Sequence, residues 1–281
     1  MHLAADVLSP PVRLHTLLLG FPTDWLTLLA DAIELALAIA YLVGVARLKR
    51  RGRSWPAGRT AAFLCGDAVI FIATGSGFAS YDDSVFTVHV IQHLLLMNAA
   101  PILLALSGSM TLLLQAANRR TQTVAIKFLH SRYLRFFTLP IIAWLLNWVT
   151  MYVYFLTPVY KLSIEHPLFH DYTHLHFLIA GFFFWGALIA VDPLPHKMGF
   201  PAKLAYLLSG IPFGAFLGIA IMQMHTSIDP AVHTLADTHM GGSVLWAFGE
   251  IFTVAALGVI FLQWAKAEER AAARMDRQLY G

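Results

Sequence analysis

Seven apolar runs, nearly free of charge, recur along the chain with short polar stretches between them. They cover roughly 25–46, 60–80, 85–106, 137–156, 172–191, 204–225 and 242–264. A helix needs about 20 mostly apolar residues to cross the hydrocarbon core of a bilayer. The runs are continuous rather than alternating, which is the pattern of helices and not of barrel strands. Lipid offers no hydrogen bonds to the backbone, so only helices and closed barrels can span it. The pattern therefore predicts an all-α integral membrane protein: a single domain over 1–281 built as a bundle of seven transmembrane helices. The stretch 124–136 is amphipathic and is expected to lie along the membrane surface. The first residues lack a basic start followed by a long apolar run, so no cleaved signal peptide is predicted.

Composition strengthens this picture. The chain is 58% hydrophobic and 12% charged, against about 25% charged in ordinary soluble domains. The lipid bilayer must cover that much apolar surface. The net charge of +3 does not point to nucleic acid, because the basic residues sit in short loops rather than in one patch. Their placement gives the orientation instead. Arg47, Lys49, Arg50, Arg51, Arg53 and Arg59 follow the first run, and Arg119, Arg120, Lys127, Arg132 and Arg135 follow the third. Lys197 and Lys203 follow the fifth, and Lys266, Arg270, Arg274 and Arg277 follow the seventh. Only Arg13 and Lys161 remain for the opposite side. The expectation is an N-terminus outside, a C-terminus in the cytoplasm and residence in the cytoplasmic (inner) membrane. Cys65 is the lone cysteine, which excludes an internal disulfide and any cysteine-based metal cluster. It is expected to be a small buried residue.

The 13 histidines split the other way. His130 and His196 fall on the inner side, and the rest on the outer side. His89 and His93 are four apart at the outer start of the third run, and His170 and His174 are four apart at the outer start of the fifth. Residues at this spacing share a helix face. Met97 follows His93 one turn deeper, while His176 points elsewhere. Met222, Met224 and His225 close the sixth run, and the next loop carries His233, Asp237 and His239. Imidazole suits copper, zinc and iron, and thioether favours Cu(I). Intramembrane histidine is costly and marks a functional site by default. Two pairs at one depth, with methionines nearby, predict a copper site in the outer leaflet. Its ligands are His89, His93, His170 and His174, with Met97, His176, Met222 or His225 for transfer. Asp31, Glu34 and Asp67 lie within the first two runs. Either they pair structurally or they serve as orienting carboxylates or a proton relay. Gln92, Asn98 and Asn147 are expected to bond between helices, and Gly241 and Gly242 to permit close helix approach.

At this point the residues resemble the CtaG family of multipass oxidase-assembly factors, tied to caa-type cytochrome c oxidase. The motifs are HVIQHLLLMNAAP from His89 to Pro101, HPLFHDYTHLHFLIAGFFFW from His166 to Trp185, and DPLP from Asp192 to Pro195. The segment from Asp237 through Gly241 and Gly242 to Trp246 and the charged tail after Trp264 match as well. The resemblance implies a role in assembling cytochrome c oxidase, by delivering or helping to insert copper at its outer-side centres. Its partners would be the oxidase subunits, with a periplasmic copper chaperone as candidate donor. The matched positions are His89, His93, His170, His174 and Asp237, and His239 lies close to the last of these.

Other functions fit less well. A b-type haem protein would use one histidine from each of two facing helices. A zinc protease needs HExxH, and HVIQH lacks the glutamate, so no enzyme is predicted. A copper or proton transporter would need ligands on both sides, yet the inner half is poor in histidine and methionine.

Overall fold

A computed structural model describes residues 14–20, 24–189 and 191–280, so His2 and Arg13 fall outside the described part. Every regular element among the described residues is a helix, with no strand among them. In chain order the helices begin with α1 (Leu14–Leu19), α2 (Trp25–Arg50), α3 (Ala57–Thr74) and the single turn α4 (Phe78–Tyr81). The third apolar run is built in pieces: α5 (Phe86–Leu94), a π-helical turn (Leu95–Ala99), α6 (Ala100–Ser107) and α7 (Ser109–Ala116). Then come α8 (Arg119–Leu129), α9 (Arg132–Phe137), α10 (Pro140–Leu156) and α11 (Val159–Glu165). The chain ends with α12 (Pro167–Ile189), α13 (Phe200–Met222) and α14 (Leu235–Tyr280).

Six helical stretches are long and apolar enough to cross a membrane, or seven if α10 and α11 count as one span bent by 72°. The chain is a multi-pass membrane protein. Thr157 and Pro158 form the bend, where proline cannot continue the preceding hydrogen-bond ladder. Most leucines of α2 point outward, with Leu28, Leu35 and Leu37 all exposed, as lipid contact demands. Cys65 is also exposed, on α3, contrary to the buried position expected. The amphipathic stretch folds as α8 and α9, with the Ser131 side chain capping α9.

Of the helix limits that differ from the sequence reading, three matter for the site. Helix α12 starts at Pro167 rather than near 172, because proline suits a first helical position. The start brings His170 fully into the helix. Helix α14 starts at Leu235 rather than near 242, with Asp237 in its first turn. Asp237 and His239 are thus helical and not in a loop. Helix α13 stops at Met222, leaving Met224 and His225 outside it.

The long third span is fixed at three points. At its α5 end the Asp237 carboxylate accepts from the backbone N–H of Phe86 (2.7 Å) and Thr87 (3.1 Å) and from the Thr87 hydroxyl (2.6 Å). Near its other end Asp192 does the same for α7, accepting from the N–H of Met110 and Thr111 and from the Thr111 hydroxyl. Each acid satisfies helix-start donors that would otherwise be orphaned. In the middle, Pro101 has no N–H to give to the carbonyl one turn earlier. The indole N–H of Trp185 on α12 donates to that Met97 carbonyl instead, at 3.1 Å. Gly181 on α12 lies against the same carbonyl, where a Cβ would collide with the backbone. Helix α12 is thereby seated directly on the π turn. On the other side Gly242 of α14 meets Gly218 of α13, so close that a Cβ on Gly242 would stand 2.9 Å from the Gly218 carbonyl.

Candidate metal centre

Helix spacing puts His89 and His93 on one face of α5, and His170 and His174 on one face of α12. The seating of α12 on the π turn turns the two faces toward each other. The result is a closed square of four imidazoles. Ring centroids are 4.5 Å apart for His89–His93, 5.3 Å for His93–His174, 4.3 Å for His170–His174 and 5.2 Å for His89–His170. All four side chains are buried, His89 and His93 almost completely.

The nitrogens converge as well. The Nε2 atoms of His89 and His93 are 2.8 Å apart. Both reach the Tyr154 hydroxyl of α10, at 2.9 and 3.3 Å, and that hydroxyl meets Ser163 of α11 at 2.8 Å. The bend between α10 and α11 is what brings Ser163 back to Tyr154. His174 Nε2 donates to the Gln92 carbonyl oxygen at 3.1 Å, and the Gln92 amide donates to the Ala73 carbonyl at 2.8 Å. The glutamine therefore bonds between helices, as expected, and holds one site histidine by doing so. His93 Nδ1 and His170 Nε2 have no hydrogen-bond partner although buried. Unpaired buried nitrogens are costly, and each such group calls for an explanation.

Asp82 joins the cluster from the turn after α4. Its Oδ2 lies 3.9 Å from His170 Nε2 and 4.0 Å from His174 Nε2, and its side chain is 3% exposed. Burial, and then the neighbouring Asp83, push the Asp82 carboxyl well above the usual carboxylate range. Two overlapping triads of donors follow: His89, His93 and His170, and Asp82, His170 and His174. Within each, the donor atoms lie within 4.8 Å of one another. Neutral imidazoles and one carboxylate suit a first-row transition metal. Buried nitrogens without partners and an acid that is hard to ionise unaided are what a bound cation would relieve.

The other sequence candidates make other contacts. Met97 packs into the apolar core with Met151, Phe177 and Leu217 and lines a small cavity beside Asn147 and Trp148. His176 turns to the far side of α12 and meets the Thr150 hydroxyl at 2.9 Å. Met222 packs on Gly242, and His225 is exposed. His239 donates to the Met224 carbonyl at 2.9 Å. Asp237 caps α5 and stands 3.8 Å from His233 Nδ1. Burial pulls the His233 imidazole below its usual value, against the opposite pull of Asp237 and Asp229. Sequence reasoning missed Asp82 and Tyr154. An acid in a short loop reads as solvated, and a tyrosine in an apolar run reads as packing. The paired Asp82–Asp83 beside an intramembrane histidine motif was the only available signal.

Asp237→Asn tests the capping role. The variant should lower the melting temperature by the loss of a charged cap, about 1 kcal/mol, while bound metal stays at the parent's level. Metal content falling in step with that of a site histidine variant would make Asp237 a ligand after all.

The family model for the cytochrome c oxidase caa3 assembly factor matches residues 39–267. Uncharacterized proteins of Mycobacterium bovis and Mycobacterium tuberculosis are each 33% identical over 266 residues, covering 89% of this chain and 40% of theirs. One of Mycobacterium leprae is 31% identical over the same length. The chain thus spans about 40% of the length of these curated relatives. No solved structure matches.

Proposed function

Since the chain belongs to the cytochrome c oxidase caa3 assembly factor family, we propose that it binds copper between α5 and α12 and passes it to the oxidase during assembly. The observation that carries this reading is the buried square of His89, His93, His170 and His174, whose donor atoms converge in two overlapping triads with Asp82. Imidazoles accept both Cu(I) and Cu(II), so the set can take up the ion and release it to stronger sites. Copper is the cargo here and not a catalytic group. The protein acts as an assembly factor and not as an enzyme. The distribution of Lys and Arg supports an N-terminus outside and a C-terminus in the cytoplasm, which sets the square in the outer leaflet of the cytoplasmic membrane. From there it faces the compartment in which a periplasmic chaperone would deliver copper and the oxidase subunits would receive it.

Packing disfavours haem. A macrocycle needs a slot between two axial imidazoles, but these rings lie 5.2 and 5.3 Å apart across the helices, walled by Tyr154, Phe155 and Phe177.

The test is the copper content of cytochrome c oxidase purified from cells that lack this protein. Oxidase should accumulate short of copper and regain it with the parent gene, but not with one in which all four histidines are alanine. Oxidase with full copper in every case would defeat the proposal.

A further inference from the structure

A cavity of about 550 Å³ opens between the outer half of α2 and the start of α12. The wall from α2 is mostly apolar, with Leu29, Ala30 and Ile33, and also carries Glu34, with Asp24 at the start of the helix. The opposite wall is polar. Asp171 and Asp83 lie at its mouth, and Asp82, His170 and His174 form its buried end. The Asp83 side chain is 61% exposed, against 3% for Asp82 and 9% for His170. His170 Nε2, buried and without a hydrogen-bond partner, borders this space. The cavities beside Trp148 and beside Trp185 include none of the four site imidazoles.

We infer that this cavity is the port by which the cargo cation enters sideways between α2 and α12, meeting the Asp82–His170–His174 triad first and the His89–His93–His170 triad second. The inference rests on the copper reading above and adds a route and an order to it. Carboxylates at the mouth of a low-dielectric cleft concentrate cations and speed their arrival. His170 belongs to both triads, so the ion keeps one ligand while His89 and His93 replace Asp82 and His174. Each step exchanges one donor for another, and the copper keeps its oxidation state.

The experiment follows Cu(I) uptake by the protein in lipid nanodiscs, under anaerobic conditions, from a coloured Cu(I) chelator. It records both the rate and the final copper per chain. Asp171→Lys should slow loading roughly 10-fold at low salt, with the difference shrinking as salt screens the charge. Ala30→Trp, which fills the apolar wall, should slow it at every salt concentration. Both should end at the parent's copper content, which also shows that they fold. Asp171→Asn should move the rate in the same direction by less. Parent-like rates in Asp171→Lys and Ala30→Trp, at full loading, would overturn the port and leave the metal site standing. A parent that takes up no copper would instead remove the copper reading, and the port with it.

Discussion

Replacing His93 and His174 together by alanine should abolish near-stoichiometric copper after anaerobic Cu(I) loading, measured by mass spectrometry on the purified protein. The two residues come from different helices and sit at opposite ends of one edge of the square, 5.3 Å apart. Removing both leaves His89 and His170 with Asp82, and takes one donor from each triad. Loss of a partner that merely orients a ligand costs 10- to 100-fold in metal affinity. Loss of two ligands should therefore exceed roughly 100-fold, enough to empty the site after dialysis against a weak chelator. Tyr154→Phe supplies the scale. It removes a hydroxyl 2.9 Å from His89 and 3.3 Å from His93, leaves every proposed ligand in place, and should cost on the order of 10-fold. Copper retained by the double variant would mean that the four histidines serve packing or partner docking.

Gly181→Leu should give the same loss of copper with every proposed ligand in place. Gly181 allows α12 to rest on the Met97 carbonyl, in contact with the backbone of the π turn. A side chain there must drive the helices apart, and overpacking of this kind costs about 1–3 kcal/mol or more. The separation opens the His93–His174 edge and strains the Trp185 bond to the same carbonyl. Gly181→Ala should fall between parent and leucine in both copper content and melting temperature. Gly186→Ala is the control on the same helix, since its Cβ would meet only Leu194 at an ordinary 3.5 Å. A Gly181→Leu protein with the parent's copper content would show that the fit of α12 on the π turn does not set the site.

The bundle and the square were legible in the sequence for the same reason. Both rest on periodicity: runs long enough to cross lipid, and histidines four apart on helices. What escaped the sequence depends on contacts between distant segments. Met97 follows the α-helical period from His93, but its carbonyl holds Trp185 and its side chain packs into the apolar core. Asp237 stands among histidines, so its carboxylate reads as a ligand. Only the approach of α14 to the start of α5 reveals it as a cap. Asp82 needs the fold back from α4 to α12 before it becomes a neighbour of His170. Asp31 and Glu34 share a face of α2, each with a carboxylate oxygen lacking a hydrogen bond. The Thr74 hydroxyl, 3.4 Å from Glu34, is the contact that turns that face toward α3.

The π turn at Leu95–Ala99 also sets what the family can change. Side chains there can vary as long as they stay apolar, because the turn is held through the Met97 carbonyl rather than through any one side chain. Length cannot vary in the same way. Deleting one residue would close it into ordinary α-helix and change which carbonyl Trp185 and Gly181 of α12 meet. The segment is free in composition but fixed in count, so insertions and deletions should collect in the loops and spare these five positions.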